Sequence, residues 1–538
     1  MKQIGFKNFR KFENFPMMEL APITVIVGEN NAGKSTIVKA ILAYSDFLIS
    51  NQDFESELAS LADNDGRMTE KERVDTNKKL LKSVRFLFNT SYIAHIGTFK
   101  RALYNQAKDS TITFQADLGS IIVSTKIIGN RKDDEAVGGN VSEIEVYSKR
   151  YAVSLLFDLL NDHAIITFHS SDDFHVDRTR PRTRWDDRLA QYFNSFTGDH
   201  SIEITISDNW TPRSYGRDLI RSLIESCEIA ISATLYPRFI APEEAEDIPF
   251  RSLNGKPIAM VDAESMRVLK LFDKMMNQDS INRTFRFRLP MGQPISRMLD
   301  IEYIYAHAVT QTSVYTAKDA NDYLSQTIHE FASRPKATYK KKFITKWMKE
   351  FEIGTDYSIR SVGGEAHIVY ITNKNGEKVN LADKGMGSIQ LMVLLFRLAI
   401  TLPNRVVRGS TENRFGKVII IEEPELNLHP TLQSQLADLF YEINRLYGYR
   451  FIIETHSEYL IRKMQVIVSN LNEQNSRINE RYLDDRNIVR HNENPFKVYY
   501  VPSDEAPYEM IFRPDGRFEN EFGKGFFDKA AELAFEIL

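Results

Sequence analysis

Three short segments of this chain are apolar at nearly every position: ITVIVG at 23–28, KVIII at 417–421 and FII at 451–453. Helical patterns separate them. One runs from the Gly-Lys-Ser-Thr stretch to about Ser45, one is the long apolar IQLMVLLFRLAITL, and one spans about Pro430 to Leu446. Strands without polar alternation, interleaved with helices, predict a parallel sheet covered on both faces. Residues 111–155 follow the other pattern. TITFQADL, SIIVSTKIIG and SEIEVYSKRYAVSLL alternate apolar and polar positions, which predicts antiparallel strands, with GNRKDDEAVGGN as turn chemistry between them. KQIGFKNFRKF reads as a strand entering a turn, and SIRSV, AHIVYITN and the KNGEKV turn predict further β structure after Tyr357. Residues 51–82 are polar and charged and predict a helical excursion or a mobile loop. Residues 156–330 are the least patterned, with helical stretches at YGRDLIRSLIESCEIAI and AESMRVLKLFDKMMNQ.

Composition narrows this. A chain of 538 residues is too long for one hydrophobic core, so two or three lobes are expected. Its 42% apolar and 26% charged residues are those of a soluble globular protein. The formal net charge of −4 gives no global field for nucleic acid, so only local patches can carry that reading. No apolar run reaches the roughly eighteen residues of a membrane span. The start, MKQIGFKNFRKF, has no apolar stretch of the kind a secretory signal needs. The single cysteine, Cys227, excludes an intramolecular disulfide and a multi-cysteine zinc site, and fits a reduced thiol in the cytoplasm.

The chemistry is concentrated after the apolar strands. Gly28-Glu29-Asn30-Asn31-Ala32-Gly33-Lys34-Ser35-Thr36 joins a predicted strand to a predicted helix with the spacing of a phosphate loop. Glycines let backbone N–H groups wrap the phosphates, and the helix N-terminus adds its positive end. In this reading Gly28, Asn30, Asn31, Ala32, Gly33, Lys34, Ser35 and Thr36 form the nucleotide cradle, Lys34 reaches the β- and γ-phosphates, and the Ser35 hydroxyl faces Mg²⁺. The downstream strand ends in Glu422-Glu423. Acids at the carboxyl end of a parallel strand face the ligand crevice, so Glu422 is expected to hold Mg²⁺ and Glu423 to orient or deprotonate the attacking water. His456, in Ile453-Glu454-Thr455-His456-Ser457, ends a third strand, where a neutral imidazole can hydrogen-bond the γ-phosphate. Finally, Gly385, Gly387 and Ser388 open the long apolar helix and form a second anion site. Within one subunit that site is redundant. Across a dimer it closes on the partner's ATP.

These elements, in this order, resemble the ABC-type ATPase heads of the SMC/RecF/OLD group, and within it bacterial defence ATPases. The resemblance rests on IGFKNFRKFENF with ITVIVGENNAGKSTIVKAIL, LADKGMGSIQLMVLL, IIIEEPELNLHPTLQSQLADLF and IIETHSEYLIRKM, about a quarter of the chain. The tail from Val498 to Asp528 also resembles the C-terminal segment of some of these ATPases. The resemblance implies an ABC-type P-loop head, α/β with a mixed sheet and an antiparallel β lobe, plus a helical insertion domain. Residues 1–155 would form the first half of the head, 156–350 a mostly helical insertion, and 351–538 the second half. It implies Gly387 and Ser388 in the signature position, Glu423 as catalytic glutamate and His456 as switch histidine. Gln106 and Gln115 are alternatives for the Q-loop position. The first Walker B acid is Glu422 rather than aspartate, and the GMGS signature departs from the transporter form. No EGxxE-like acid cluster follows His456, so the chain is expected to lack the nuclease module of OLD-type enzymes. That resembles the ATPases of Septu defence systems, including retron-associated ones, in which a separate HNH nuclease cuts.

Three patches bear on partners. Arg178-Thr179-Arg180-Pro181-Arg182-Thr183-Arg184-Trp185 suits a nucleic-acid track or a loop paired with neighbouring aspartates. Arg283, Arg286 and Arg288 interleave with Phe285 and Phe287, suggesting a strand with one basic face. Lys340 to Lys342 read as a solvated helix face. The leading expectation is an ATP sensor and scaffold, acting as a homodimer or higher even oligomer and controlling a nuclease partner, with DNA or retron RNA–DNA as a further partner and no membrane. A RecF-like DNA-repair clamp and an autonomous nuclease using Asp172, Asp173, His175 and Asp177 are the alternatives.

Overall fold

The computed structural model describes residues 1–49, 69–89, 96–149, 153–169, 199–210, 219–235, 299–304, 312–316, 322–334, 337–403, 417–479, 494–523 and 536. The arginine clusters at 178–184 and 283–288 and the Asp/His cluster at 172–177 lie outside these residues. The chain forms two compact units, Met1–Glu19 with Thr36–Leu299, and Leu20–Ser35 with Asp300–Leu538.

In chain order the first part contains β1 (Gln3–Phe9), β2 (Phe12–Glu19), β3 (Ile23–Gly28) and α1 (Lys34–Ile49). Then come α2 (Glu70–Ser83), β4 (Arg85–Leu87), β5 (Thr111–Asp117), β6 (Ile121–Ile128), β7 (Gly138–Ser148), β8 (Val153–Asp158), β9 (His163–Phe168), β10 (His200–Thr205) and α3 (Leu219–Leu235). All of these strands except β3 form the first unit's sheet, ordered β10-β9-β8-β7-β6-β5-β1-β2 with β4 beside β7. Its described pairings are antiparallel, as the period-two pattern predicts. Ile112, Phe114, Val123, Ile144, Leu155 and Phe157 fill the buried positions.

Aromatic rings concentrate in that core. Phe6 stacks on Phe15 at 4.5 Å, Phe86 on Phe114 at 5.1 Å, and Tyr44 of α1 on Phe114 at 5.3 Å. Each buried ring contributes roughly 1.5–3 kcal/mol by burial alone, so this cluster anchors the sheet. Tyr44 carries a hydroxyl into it and satisfies it on Val123 O at 3.0 Å and Thr125 Oγ1 at 3.1 Å.

The second unit adds β11 (Ile301–Ile304), β12 (Tyr315–Thr316), α4 (Tyr323–Ser333), α5 (Thr338–Glu350), β13 (Asp356–Val362), β14 (Ala366–Thr372), β15 (Lys378–Asn380) and α6 (Met386–Thr401). It continues with β16 (Val418–Glu422), α7 (Pro430–Tyr447), β17 (Arg450–Glu454), α8 (Glu458–Asn479), β18 (Phe496–Val501) and β19 (Tyr508–Met510). Its main sheet is ordered β11-β16-β17-β3-β18-β19, parallel except for β19. The three apolar segments of the sequence are its adjacent central strands, and β17 lies between the other two. Register aligns Glu422 with Glu454, and Glu454 with Ile26, so the strand ends that carry acids stop level with the start of the phosphate loop. Helix α7 is bounded as its sequence suggests: Pro430 in the first turn after His429, and Gly448 at φ 70° closing the C-terminus.

Three features add to or correct the sequence reading. The tail strand β18 runs parallel beside β3. The span 156–350 contains α3, α4 and α5 together with β9, β10, β11 and β12 among its described residues. The Lys340–Lys342 face is split. Lys340 is buried at 7% exposure, with Nζ 3.4 Å from Ile400 O near the C-terminal end of α6, where the helix dipole favours a cation. Lys341 pairs with Asp356 at 3.0 Å, and Lys342 is exposed. No helix among the described residues is long and apolar enough to cross a membrane.

Replacing Tyr44 by Phe leaves buried Val123 O without this donor and the buried Thr125 hydroxyl without this partner. The expected loss is about 1–2 kcal/mol of stability, measured by denaturant unfolding.

Candidate active site

The candidate site is assembled from loops at the carboxyl ends of β3, β16 and β17. Leaving β3, the backbone takes left-handed values at Gly28 (φ 150°), Asn31 (φ 60°) and Gly33 (φ 114°). Left-handed residues of this kind are what backbone anion-binding nests are built from, although Ala32 N already donates to Glu29 O at 3.3 Å. Gly28 is also fixed by space: a Cβ there would lie 2.1 Å from Val501 O. Glu29 N donates to Val501 O at 3.3 Å, and Ser503 Oγ donates to Glu29 Oε2 at 2.5 Å. The tail strand therefore braces the phosphate loop.

Lys34 and Ser35 open α1. Lys34 is 4% exposed, and its Nζ donates to Gly28 O at 3.1 Å and Glu29 O at 2.7 Å. Burial lowers its pKa, while Glu454, Glu423 and Glu29 pull the other way. Ser35 Oγ donates to Glu454 Oε1 at 2.8 Å. Ala32 and Thr36 are buried, and Asn30 and Asn31 are exposed.

Glu423 follows β16 with φ 44°. For a side chain this large that is a strained backbone, of a kind that clusters at functional sites. Its amide is held by Glu454 O at 2.8 Å. Its Oε1 lies 3.9 Å from His456 Nε2. His456 N in turn donates to Glu425 Oε1 at 2.6 Å. Burial and the nearby Lys34 lower the His456 pKa, against the pull of Glu423, so the ring is held toward its neutral form. Burial raises the Glu425 pKa, against the His456 N–H it accepts.

Glu454 is the residue that sequence reading missed. The segment was read for its histidine, yet the carboxylate two positions earlier is 5% exposed and touches the phosphate loop directly. Burial pushes its pKa up to about 7; Glu422 and Glu423 add to this, whereas the Ser35 hydrogen bond and Lys34 oppose it. The available signal was an acid ending a second strand beside β16, at the same level as Glu422.

The glycine turn is placed against the loop after Glu423. Gly385 caps α6 with no side-chain hydrogen bond, and Ser388 N donates to Gly385 O at 2.9 Å. A Cβ on Gly387 would come within 2.6 Å of Asn427 O, so this position is read by shape as well as by chemistry. Gln106 accepts the Tyr104 hydroxyl, and Gln115 sits in β5; both belong to the first unit.

The donors fit a hard divalent cation. Ser35 offers a hydroxyl and Glu422 a carboxylate, the ligand chemistry of Mg²⁺, with the Glu454 carboxylate behind Ser35. Among the described residues no three His, Cys, Asp or Glu side chains are grouped to hold a metal by themselves. A Mg²⁺ shared with substrate phosphates needs only one or two carboxylates from the protein.

A phosphate loop, a strand between it and the acid-bearing strand, and a histidine facing the second acid define a P-loop ATPase. Residues 23–462 match the family model described as "AAA domain, putative AbiEii toxin, Type IV TA system". That span is most of the chain, which therefore belongs to this family. Similar solved structures include an SMC head domain from Thermotoga maritima, 10% identical, covering 86% of this chain and 91% of that one with a TM-score of 0.30. Another is the Pyrococcus furiosus Smc head domain with an extended coiled coil bound to the C-terminal domain of ScpA, 10% identical, covering 100% and 98% with a TM-score of 0.31. A Pyrococcus yayanosii Smc head with a coiled coil and joint is 10% identical, covering 100% and 99% with a TM-score of 0.32. No curated protein matches the chain.

Gly387→Ala is expected to cost about 1–3 kcal/mol, because the contact it violates is backbone rather than a flexible side chain. A denaturant midpoint unchanged from wild type would show that the turn has slack.

Proposed function

We propose that this chain is the ATP-switched subunit of a bacterial anti-phage defence complex of the Septu kind. Two copies close around two composite ATP sites, and a separate HNH-type nuclease performs the cutting, in a retron-associated form where a reverse transcriptase accompanies it. The observation that carries the reading is Glu423, held at a strained backbone angle between the Glu454 carbonyl and the His456 ring. A carboxylate fixed in that way is suited to orient or deprotonate a water, and strain is better tolerated for chemistry than for packing.

The chain's own groups divide the work. Backbone N–H groups of the loop bind the phosphates, and Lys34 exchanges its carbonyl contacts for phosphate oxygens. Ser35 and Glu422 would hold Mg²⁺, which would supply charge neutralisation to the phosphates. Glu423 takes the proton of the attacking water, and His456, held toward neutral, donates to the γ-phosphate. Ser388 of a second copy supplies the opposite wall. ATP binds the closed dimer more tightly than the open chain, and that difference in affinity is what moves the equilibrium. The close fit of the glycine turn against the loop after Glu423 supports a switch.

The test is made on the purified chain. Lys34→Ala should abolish nucleotide binding in a fluorescent-nucleotide titration. Glu423→Gln should keep binding but lower turnover by roughly 10²–10⁴-fold, and should accumulate as a dimer with ATP by light scattering. Hydrolysis by Glu423→Gln at the wild-type rate would overturn the assignment. Mg²⁺-dependent DNA cleavage by this chain alone would overturn the separate-nuclease reading, which co-purification with an HNH protein encoded nearby would support.

A further inference from the structure

A hydroxyl that binds a metal does so through an oxygen lone pair, so its proton must point elsewhere. In this chain the acceptor for the Ser35 proton is visible. Ser35 Oγ donates to Glu454 Oε1 at 2.8 Å, across 419 positions of sequence. Glu454 sits on β17, the strand between β3 and the Glu422 strand, level with Glu422 by register. Its backbone is committed as well, since the Glu454 carbonyl holds the Glu423 amide at 2.8 Å.

The other carboxylate oxygen is the second observation. Glu454 Oε2 is buried and has no hydrogen-bond partner, in a residue 5% exposed. An unpaired buried carboxylate oxygen is costly, and a fold retains one where a donor arrives with a ligand. The surrounding charges say which donor. Lys34 is committed to Gly28 O and Glu29 O, and Glu422 and Glu423 are further acids. A metal-bound water, with its strongly polarised O–H, satisfies an acceptor in such a place. A phosphate oxygen would only add repulsion.

We propose that Glu454 is a positioning residue of the metal–nucleotide site: Oε1 takes the Ser35 proton and so turns the Ser35 lone pairs toward the metal, while Oε2 accepts a hydrogen bond from a metal-bound water. This rests on the ATP-site reading above and adds to it a carboxylate outside the Walker motifs. Outer-shell partners of this kind typically set 10–100-fold of metal affinity. Glu454 also opposes metal-free nucleotide, because a carboxylate beside the phosphate loop repels phosphate charge that no cation has neutralised.

The two effects have opposite signs, which separates positioning from mere support of the fold. The experiment uses Mn²⁺ as a paramagnetic probe, with a non-hydrolysable ATP analogue, on wild type, Glu454→Gln, Ser35→Ala and the double variant. Glu454→Gln is expected to weaken Mn²⁺ in the nucleotide complex about tenfold or more, while analogue affinity in EDTA stays level or rises a few-fold. Ser35→Ala, at an exposed residue, is expected to weaken Mn²⁺ comparably, and the double variant to lose little beyond the larger single loss. Mn²⁺ affinity of Glu454→Gln within twofold of wild type would overturn the proposal. So would a parallel fall in Mn²⁺ and metal-free analogue affinity, which is the signature of a damaged fold. If wild type binds no nucleotide, the ATP-site reading falls and takes this one with it. If wild type binds both ligands and Glu454→Gln matches it, only the role of Glu454 falls.

Discussion

The candidate site depends on keeping a buried cation and several carboxylates together at one edge of a parallel sheet. Lys34 is almost fully buried, and an ammonium in that state is tolerated only where oxygens replace water. Two loop carbonyls supply direct contacts, and Glu454, Glu423 and Glu29 supply opposing charge. The carboxylates are in turn costly to one another, as the upward push of Glu422 and Glu423 on Glu454 shows. Neither set is favourable alone. Parallel register makes the combination possible by ending β16 and β17 at the same level beside the loop that follows β3.

Two close backbone approaches hold this arrangement in place. The Gly28 position abuts Val501 O, and Gly387 abuts Asn427 O, each leaving no room for a methyl group. The first ties the phosphate loop to the tail strand. The second ties the glycine turn of α6 to the loop carrying Glu423 and Glu425, which its own turns keep compact through Leu426 N to Glu423 O and Leu428 N to Glu425 O. Glycine is needed at both places for space, and at Gly28 also for its backbone angle.

How much of this was legible follows from what each feature depends on. The central strands and the loop motif are local patterns, so β3, β16, β17 and the helix after Gly33 could be read directly. The period-two strands β5 to β8 could also be read, because one side of each is buried. What could not be read depends on distant partners. The segment FKVYYV carries no mark that it will lie beside β3, some 470 residues earlier in the chain (Phe496 pairs with Ile23). Lys340 looks like any lysine of a basic run until its position near the C-terminal end of α6 is known. Glu454 was hidden for a different reason: the histidine two residues on is the more familiar signal, and only the contact with Ser35 separates this acid from a solvated one.

These links bear on how a nucleotide signal leaves the site. Glu423 occupies a backbone angle it adopts only under constraint, with its amide on Glu454 and its carboxylate near His456. In the proposed ATP site, a change at the γ-phosphate would act on these groups first. Asn427 follows by four residues in a loop closed by its own hydrogen bonds, and its carbonyl lies where a Cβ on Gly387 would come within 2.6 Å. The loop therefore cannot shift far as a body without moving or compressing the start of α6. A packed contact of this kind tends to hold one of two discrete arrangements rather than yield continuously. In the proposed dimer the same turn faces the partner's ATP, so one rigid connection would serve both as the sensor of its own nucleotide and as the wall of its partner's site.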